Sequence, residues 1–187
     1  MLSRRKVSVL IFFLLSNALV GAGSPQSAGK EERRALRLFQ KGDYGKAAHA
    51  FQNEIEKGTS DTESYYYLGV SRLRSGDFQG ALEALERFVK EVPESSEGWL
   101  NLGIVYFALQ RFDNAIRAFH SSLQLHAEQP LANKMLGRVY VATEKHALAE
   151  RAFVRAMELD RQDFQSPYLL GRLYQTVDRL VEAARYL

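Results

Sequence analysis

Apolar residues between positions 99 and 123 fall into two stripes that are separated by a short polar break. Within each stripe the spacing alternates between three and four residues, which places the members on one face of an α-helix. The segment therefore predicts two amphipathic helices joined by a tight turn. The stripes consist of Trp99, Leu102, Gly103 and Tyr106, and of Phe112, Ala115, Ile116, Phe119 and Leu123.

This pattern recurs along the chain with a period of 34 residues. A fixed period of this length indicates a repeat architecture in which each copy is one helix–turn–helix unit. "KGDYGKA" at 41–47 and "SGDFQGA" at 75–81 provide Gly and Asp for the turn, and "ALQRFDNA" at 108–115 makes the same break without Gly. Two columns of small residues recur with this period and predict close contact between the helices. The glycine column is Gly69, Gly103, Gly137 and Gly171, and the alanine column is Ala47, Ala81, Ala115, Ala149 and Ala183.

These columns resemble the tetratricopeptide repeat. "WLNLGIVYFALQRFDNAIRAF" at 99–119 is the best copy, and "YYYLGVSRLRSGDFQGALEALERF" at 65–88 follows it. The resemblance covers residues 31–187. It implies an all-α fold, an α-solenoid of antiparallel helix pairs in a right-handed superhelix. It also implies that the first helix of each pair lines a concave groove that binds proteins or peptides without catalysis.

The repeat register divides the chain into a divergent first copy at 28–61, full copies at 62–95, 96–129 and 130–163, and an incomplete copy at 164–187. The first copy has Arg34-Ala35 where Leu-Gly is expected. The last copy leaves Leu180 and Leu187 without a following helix, although repeat arrays normally end in a polar cap. We therefore expect either a longer protein truncated at Leu187 or another surface, such as a second copy, over this end.

Residues 1–22 have the organisation of a secretory signal peptide, and 23–30 form a polar linker. A basic start at 3–6 precedes an apolar run at 7–20 and small residues ending at Ala22. We expect cleavage after Ala22 and export to the periplasm or the exterior. The alternative is an uncleaved anchor that holds the protein at the membrane.

Charge and composition exclude several classes of function. The formal charge of +3 comes from 25 basic and 22 acidic residues. Residues 1–22 contain three of the basic residues and none of the acidic ones. The rest of the chain, residues 23–187, therefore has 22 basic and 22 acidic residues and no net formal charge. A neutral remainder argues against nucleic-acid binding. The chain has no Cys, and His120 and His126 are not spaced as a helical metal pair. No catalytic motif is present, so we expect no enzyme activity, cofactor or metal.

The resemblance also places certain first-helix side chains on the groove. Lys134, Arg138 and Arg172 are expected to hold a carboxylate or acidic peptide by charge-assisted hydrogen bonds, while Phe107 and Tyr168 supply contact area. The predicted function is an exported protein-binding scaffold; the alternative is the N-terminal interaction segment of a longer enzyme or envelope assembly factor. The complete predicted set is Tyr66, Val70, Leu73, Arg74, Leu100, Asn101, Ile104, Phe107, Lys134, Arg138, Tyr168 and Arg172.

Overall fold

The computed structural model describes residues 29–58 and 61–187, and this part of the chain is helical without strands. The predicted signal peptide and most of the linker lie outside the described residues. None of the described helices combines the length and the apolar character that a bilayer span requires. The helices are α1 Lys30–Gln40, α2 Tyr44–Glu56, α3 Thr62–Ser75, α4 Phe78–Glu91, α5 Ser96–Ala108, α6 Phe112–Leu125, α7 Pro130–Ala142, α8 His146–Leu159, α9 Gln165–Thr176 and α10 Leu180–Ala183.

The described residues divide into two compact units, those up to residue 94 and those from residue 95 to 187, called unit 1 and unit 2. In unit 1, helices α1 to α4 pack in chain order. Their core includes the fully buried Ala35, Ala47 and Phe51. The Phe51 ring stacks on Tyr67 with centroids 5.4 Å apart, which ties α2 to α3. The divergent first copy therefore still forms a packed helix pair.

In unit 2, helices α5 to α10 also pack in chain order. Phe119 and Phe153 are fully buried and occupy the same repeat position in α6 and α8. The last copy contributes α9 and the four-residue α10. The prediction of an all-α fold built from consecutive helix pairs is confirmed within each unit.

The glycine column lies where two helices of one pair touch. A Cβ atom added to Gly103 would lie 2.6 Å from Cε1 of Phe119, and one added to Gly137 would lie 2.5 Å from Cε1 of Phe153. Carbon atoms in contact normally stay about 3.5–4.0 Å apart. The steric interpretation of these glycines is therefore confirmed: a side chain at either position would collide with a buried ring.

The turn inside each copy has one residue in the left-handed region of backbone space. This residue is Gly42 or Gly76 in the first two copies, with φ of 80° and 88°. The later copies keep the conformation with Gln110, Glu144 and Asp178, at φ of 60°, 58° and 57°. Packing of the helix pair thus maintains the turn even where the residue has a side chain that disfavours it.

Candidate functional site

The structure separates the predicted groove residues by their exposure. Tyr168 and Arg172 are exposed, while Tyr66, Arg74 and Lys134 are half-buried. The other seven are each at most 8% exposed, so their side chains offer little accessible area in the folded chain. Most of them are apolar, and removing such side chains from water stabilises the fold. These buried residues are Val70, Leu73, Leu100, Asn101, Ile104, Phe107 and Arg138.

In unit 1, both half-buried members contact aromatic rings. Tyr66 lies against Phe88 with centroids 5.2 Å apart. The guanidinium of Arg74 lies over the Tyr44 ring at 5.5 Å, and burial lowers the pKa of Arg74. Tyr66 and Arg74 are therefore held within unit 1 by packing against aromatic rings.

Lys134 forms an ion pair that the sequence pattern did not predict. Its ammonium donates to Asp163 Oδ1 at 3.1 Å and to Gln165 Oε1 at 3.3 Å. The two charged side chains are only 13% and 7% exposed. Burial alone would raise the pKa of Asp163, but hydrogen bonds from Ser166 and Lys134 outweigh it and lower that pKa. Lys134 therefore connects α7 to the start of α9 and is not a free cation for a ligand.

Arg138 lies one turn further along α7 and has different surroundings. Its side chain is 7% exposed, and its guanidinium lies over the Phe107 ring at 5.1 Å. Its polar neighbour within the described residues is Met135 Sδ, at 3.8 Å from Nη1. Burial lowers the pKa of Arg138 to about 10, so the group remains charged at neutral pH. No carboxylate of the described residues pairs with this buried charge.

Tyr168 and Arg172 form the accessible part of the predicted site in unit 2. They lie four residues apart on α9, and Arg172 Nη1 donates to the Tyr168 hydroxyl at 3.3 Å. Tyr168 is 51% exposed. A partner can therefore reach an aromatic ring and a cation on the same helix face.

The last helix pair also exposes apolar residues that sequence reasoning identified only in part. Phe164 is 80% exposed, Leu180 65% and Val181 72%. Leu187 is 57% exposed, whereas Phe119 and Phe153 at the same repeat position are fully buried. Phe164 was missed because it precedes α9 and does not belong to either helical stripe. Because all four belong to the last copy of the repeat, we call these exposed apolar residues together the open end.

Within residues 29–58 and 61–187, no cluster of three or more His, Cys, Asp or Glu side chains is arranged to hold a metal ion. His120 lies 3.2 Å from the Tyr140 hydroxyl through Nε2. This contact joins α6 to α7, so the imidazole has a structural partner within unit 2.

Comparison with known proteins agrees with this architecture. Models of the tetratricopeptide repeat match residues 32–81, 66–130 and 135–163. No curated protein sequence matches the chain. Among solved structures, the crystal structure of MamA is 24% identical with a TM-score of 0.74, and the alignment covers 81% of this chain and 89% of that one.

Two further structures show the same fold. MamA from Desulfovibrio magneticus RS-1 is 19% identical with a TM-score of 0.77, and the alignment covers 84% of this chain and 92% of that one. A thermophilic tetratricopeptide protein from Thermus thermophilus is 23% identical with a TM-score of 0.67, and the alignment covers 83% of this chain and 86% of that one. Since the repeat models match more than half of the sequence, this chain belongs to the tetratricopeptide repeat family.

Proposed function

We propose that the chain is a non-catalytic scaffold that binds an acidic segment of a partner protein through unit 2. The observation that carries this proposal is the buried guanidinium of Arg138, which has no carboxylate partner among the described residues. Tetratricopeptide repeats are protein-interaction folds, which supports a protein or peptide as the ligand. Lys134 is not included as a contact because it is already paired with Asp163.

An unpaired buried charge is costly, and this cost favours binding of an anion. A charge removed from water without a counterion destabilises the protein by several kcal/mol. A partner carboxylate at Arg138 would restore the missing electrostatic attraction and form charge-assisted hydrogen bonds. The Phe107 ring fixes the plane of the guanidinium from one side and thereby orients its donors. Tyr168 and Arg172 would then contact neighbouring residues of the same partner segment.

The experiment begins with capture of the partner and continues with its affinity. A photocrosslinking amino acid at position 168 identifies the bound protein, and calorimetry then measures its Kd with wild type and with Arg138→Met. We expect Arg138→Met to weaken binding at least about tenfold, since a charge-assisted hydrogen bond contributes about 1.5–3 kcal/mol. The same variant should unfold at a higher temperature, because methionine removes the uncompensated charge while keeping apolar volume.

A matched control is Arg155→Met on α8, where an exposed arginine pairs with Glu158 at 3.0 Å. This control should leave both affinity and thermal stability nearly unchanged. Unchanged affinity of Arg138→Met for the captured partner would refute the role of Arg138. A lower melting temperature for that variant would contradict the argument about its buried charge.

We also propose that the mature scaffold is exported, on the basis of the basic, apolar and small-residue succession at 1–22. Intact-mass measurement of protein from an envelope fraction tests this directly. A mass starting at residue 23 supports cleavage after Ala22. A mass that retains residue 1 supports the membrane-anchored alternative instead.

The open end supports a second interaction, the association of two copies through this surface. Apolar surfaces of this kind commonly mark protein contacts. Light scattering after gel filtration should show a concentration-dependent dimer that Leu180→Asp together with Val181→Asp removes. The control is Leu148→Asp, at a leucine that is 41% exposed elsewhere in unit 2. A monomer at all concentrations, or equal loss in the control, would reject self-association.

A further inference from the structure

The outward face of α1 carries a row of cations. Arg33, Arg37 and the C-cap residue Lys41 follow one another at intervals of four residues, and all three are exposed. Residues at this spacing lie on one side of a helix, and eight residues span about 12 Å. None of the three takes part in an ion pair with another described residue. We call this row the α1 stripe.

The acidic residues closest in sequence to the α1 stripe have other partners. Glu31 accepts a hydrogen bond from Lys57 at 2.5 Å, and Glu32 accepts one from the Gly29 amide at 3.2 Å. Asp43, in the turn after α1, lies 3.6 Å from the ammonium of Lys46. The positive charge of the stripe is therefore not compensated by these neighbours.

The opposite face of α1 fixes the direction in which the stripe points. Ala35 is fully buried in the core of unit 1, and Phe39 contacts the rings of Tyr44 and Tyr67 with centroids 5.6 Å and 5.3 Å away. Because this face is held by packing on α2 and α3, the three cations stay together on the solvent side. Their long side chains can reach a flat anionic surface at the same time.

We propose that the α1 stripe is a contact surface for the anionic headgroups of a lipid bilayer. The position of α1 in the chain favours a bilayer over an acidic protein. The apolar run at 7–20 is suited to insertion into a membrane, and residues 21–29 that separate it from α1 span at most roughly 30 Å. A chain that retains that run, as in the membrane-anchored alternative or before cleavage after Ala22, therefore holds the stripe close to headgroups. The proposal does not depend on the partner site in unit 2.

Each basic residue near an anionic leaflet strengthens association about fivefold. Three residues on one stripe should therefore contribute about 100-fold at moderate salt. The effect should decrease as salt rises, because the screening length falls from about 10 Å at 0.1 M to about 3 Å at 1 M.

The experiment measures flotation of the full chain with two kinds of vesicle, pure phosphatidylcholine and phosphatidylcholine mixed with phosphatidylglycerol. Comparing the two vesicles removes the contribution of the apolar run, which does not depend on headgroup charge. Comparing variants of the same full chain keeps the contribution of the basic residues at 3–6 constant. We expect Arg33→Gln/Arg37→Gln/Lys41→Gln to lose about 100-fold of the preference for the mixed vesicles at low salt. Binding to pure phosphatidylcholine should stay the same.

The control is Arg117→Gln/Lys145→Gln/Arg161→Gln, which removes the same net charge at exposed positions in unit 2. This control should keep the preference for mixed vesicles. Equal losses in both triple variants would show that only net charge matters and would overturn the proposal. A wild-type chain without preference for phosphatidylglycerol would also overturn the proposal. The same holds for a stripe variant that loses the crosslinked protein partner but keeps its binding to the mixed vesicles.

Discussion

Replacing Gly103 by alanine tests whether the glycine column is steric. The new Cβ atom would lie 2.6, 2.7 and 3.0 Å from three atoms of the Phe119 ring. That ring is fully buried, so it cannot move away without displacing the residues around it. Overpacking of this kind costs about 1–3 kcal/mol. Alanine recovers about 0.8–1 kcal/mol in helix propensity, so we expect a net loss of up to roughly 2 kcal/mol in the free energy of unfolding.

The assay is urea unfolding followed by fluorescence. Trp99 is the single tryptophan of the chain and lies in α5, on the same helix as Gly103, so its emission reports on unit 2. Combining Gly103→Ala with Phe119→Ala should cost less than the sum of the two single substitutions, because without the ring the new Cβ atom no longer meets the three atoms that obstruct it. A positive coupling energy between the two substitutions would identify the ring as the obstacle.

Gly45→Ala is the matched control. Gly45 lies in α2, is exposed, and a Cβ atom there would have no neighbour within 4 Å. This variant should be unchanged or more stable by up to about 1 kcal/mol, as its unfolded chain loses entropy. If Gly103→Ala is as stable as wild type or more stable, the steric reasoning is wrong.

Further predictions concern the turns and the polar contacts. Gln110→Gly and Glu144→Gly should each raise the free energy of unfolding by about 1 kcal/mol in thermal melts, because glycine removes the left-handed backbone strain. Lys134→Met should cost about 1–3 kcal/mol, since it leaves Asp163 without its ammonium partner. Because the folded-state pKa of Asp163 is lowered, its stabilising contribution is present above its unfolded pKa and is lost as pH falls through the folded pKa. Acid unfolding of wild type and Lys134→Met should therefore converge at low pH. Tyr174→Phe should destabilise unit 2 by about 1–2 kcal/mol, because it removes the 2.7 Å hydrogen bond from the Tyr174 hydroxyl to Glu150; hydrogen exchange in α10 reports the loss.

The repeat architecture was predictable because its determinants are local. Helical stripes and a 34-residue period depend only on spacing along the chain, and the small residue at Gly103 is required by its own helix pair. The same holds for the turn at Gln110. The period showed that a turn lies there, although the left-handed conformation of a non-glycine residue became visible only in the folded backbone.

The properties of the binding surface were decided by tertiary structure. Lys134 and Arg138 are four residues apart on α7 and were predicted to play the same part. Asp163 happens to lie within reach of Lys134, whereas the described residues bring no carboxylate to Arg138. Ile104 and Leu100 were expected on an open groove and are buried instead. Spacing within a helix shows which residues share a face; whether that face meets water, a ring or a carboxylate depends on segments distant in sequence, and only the packed chain brings them together.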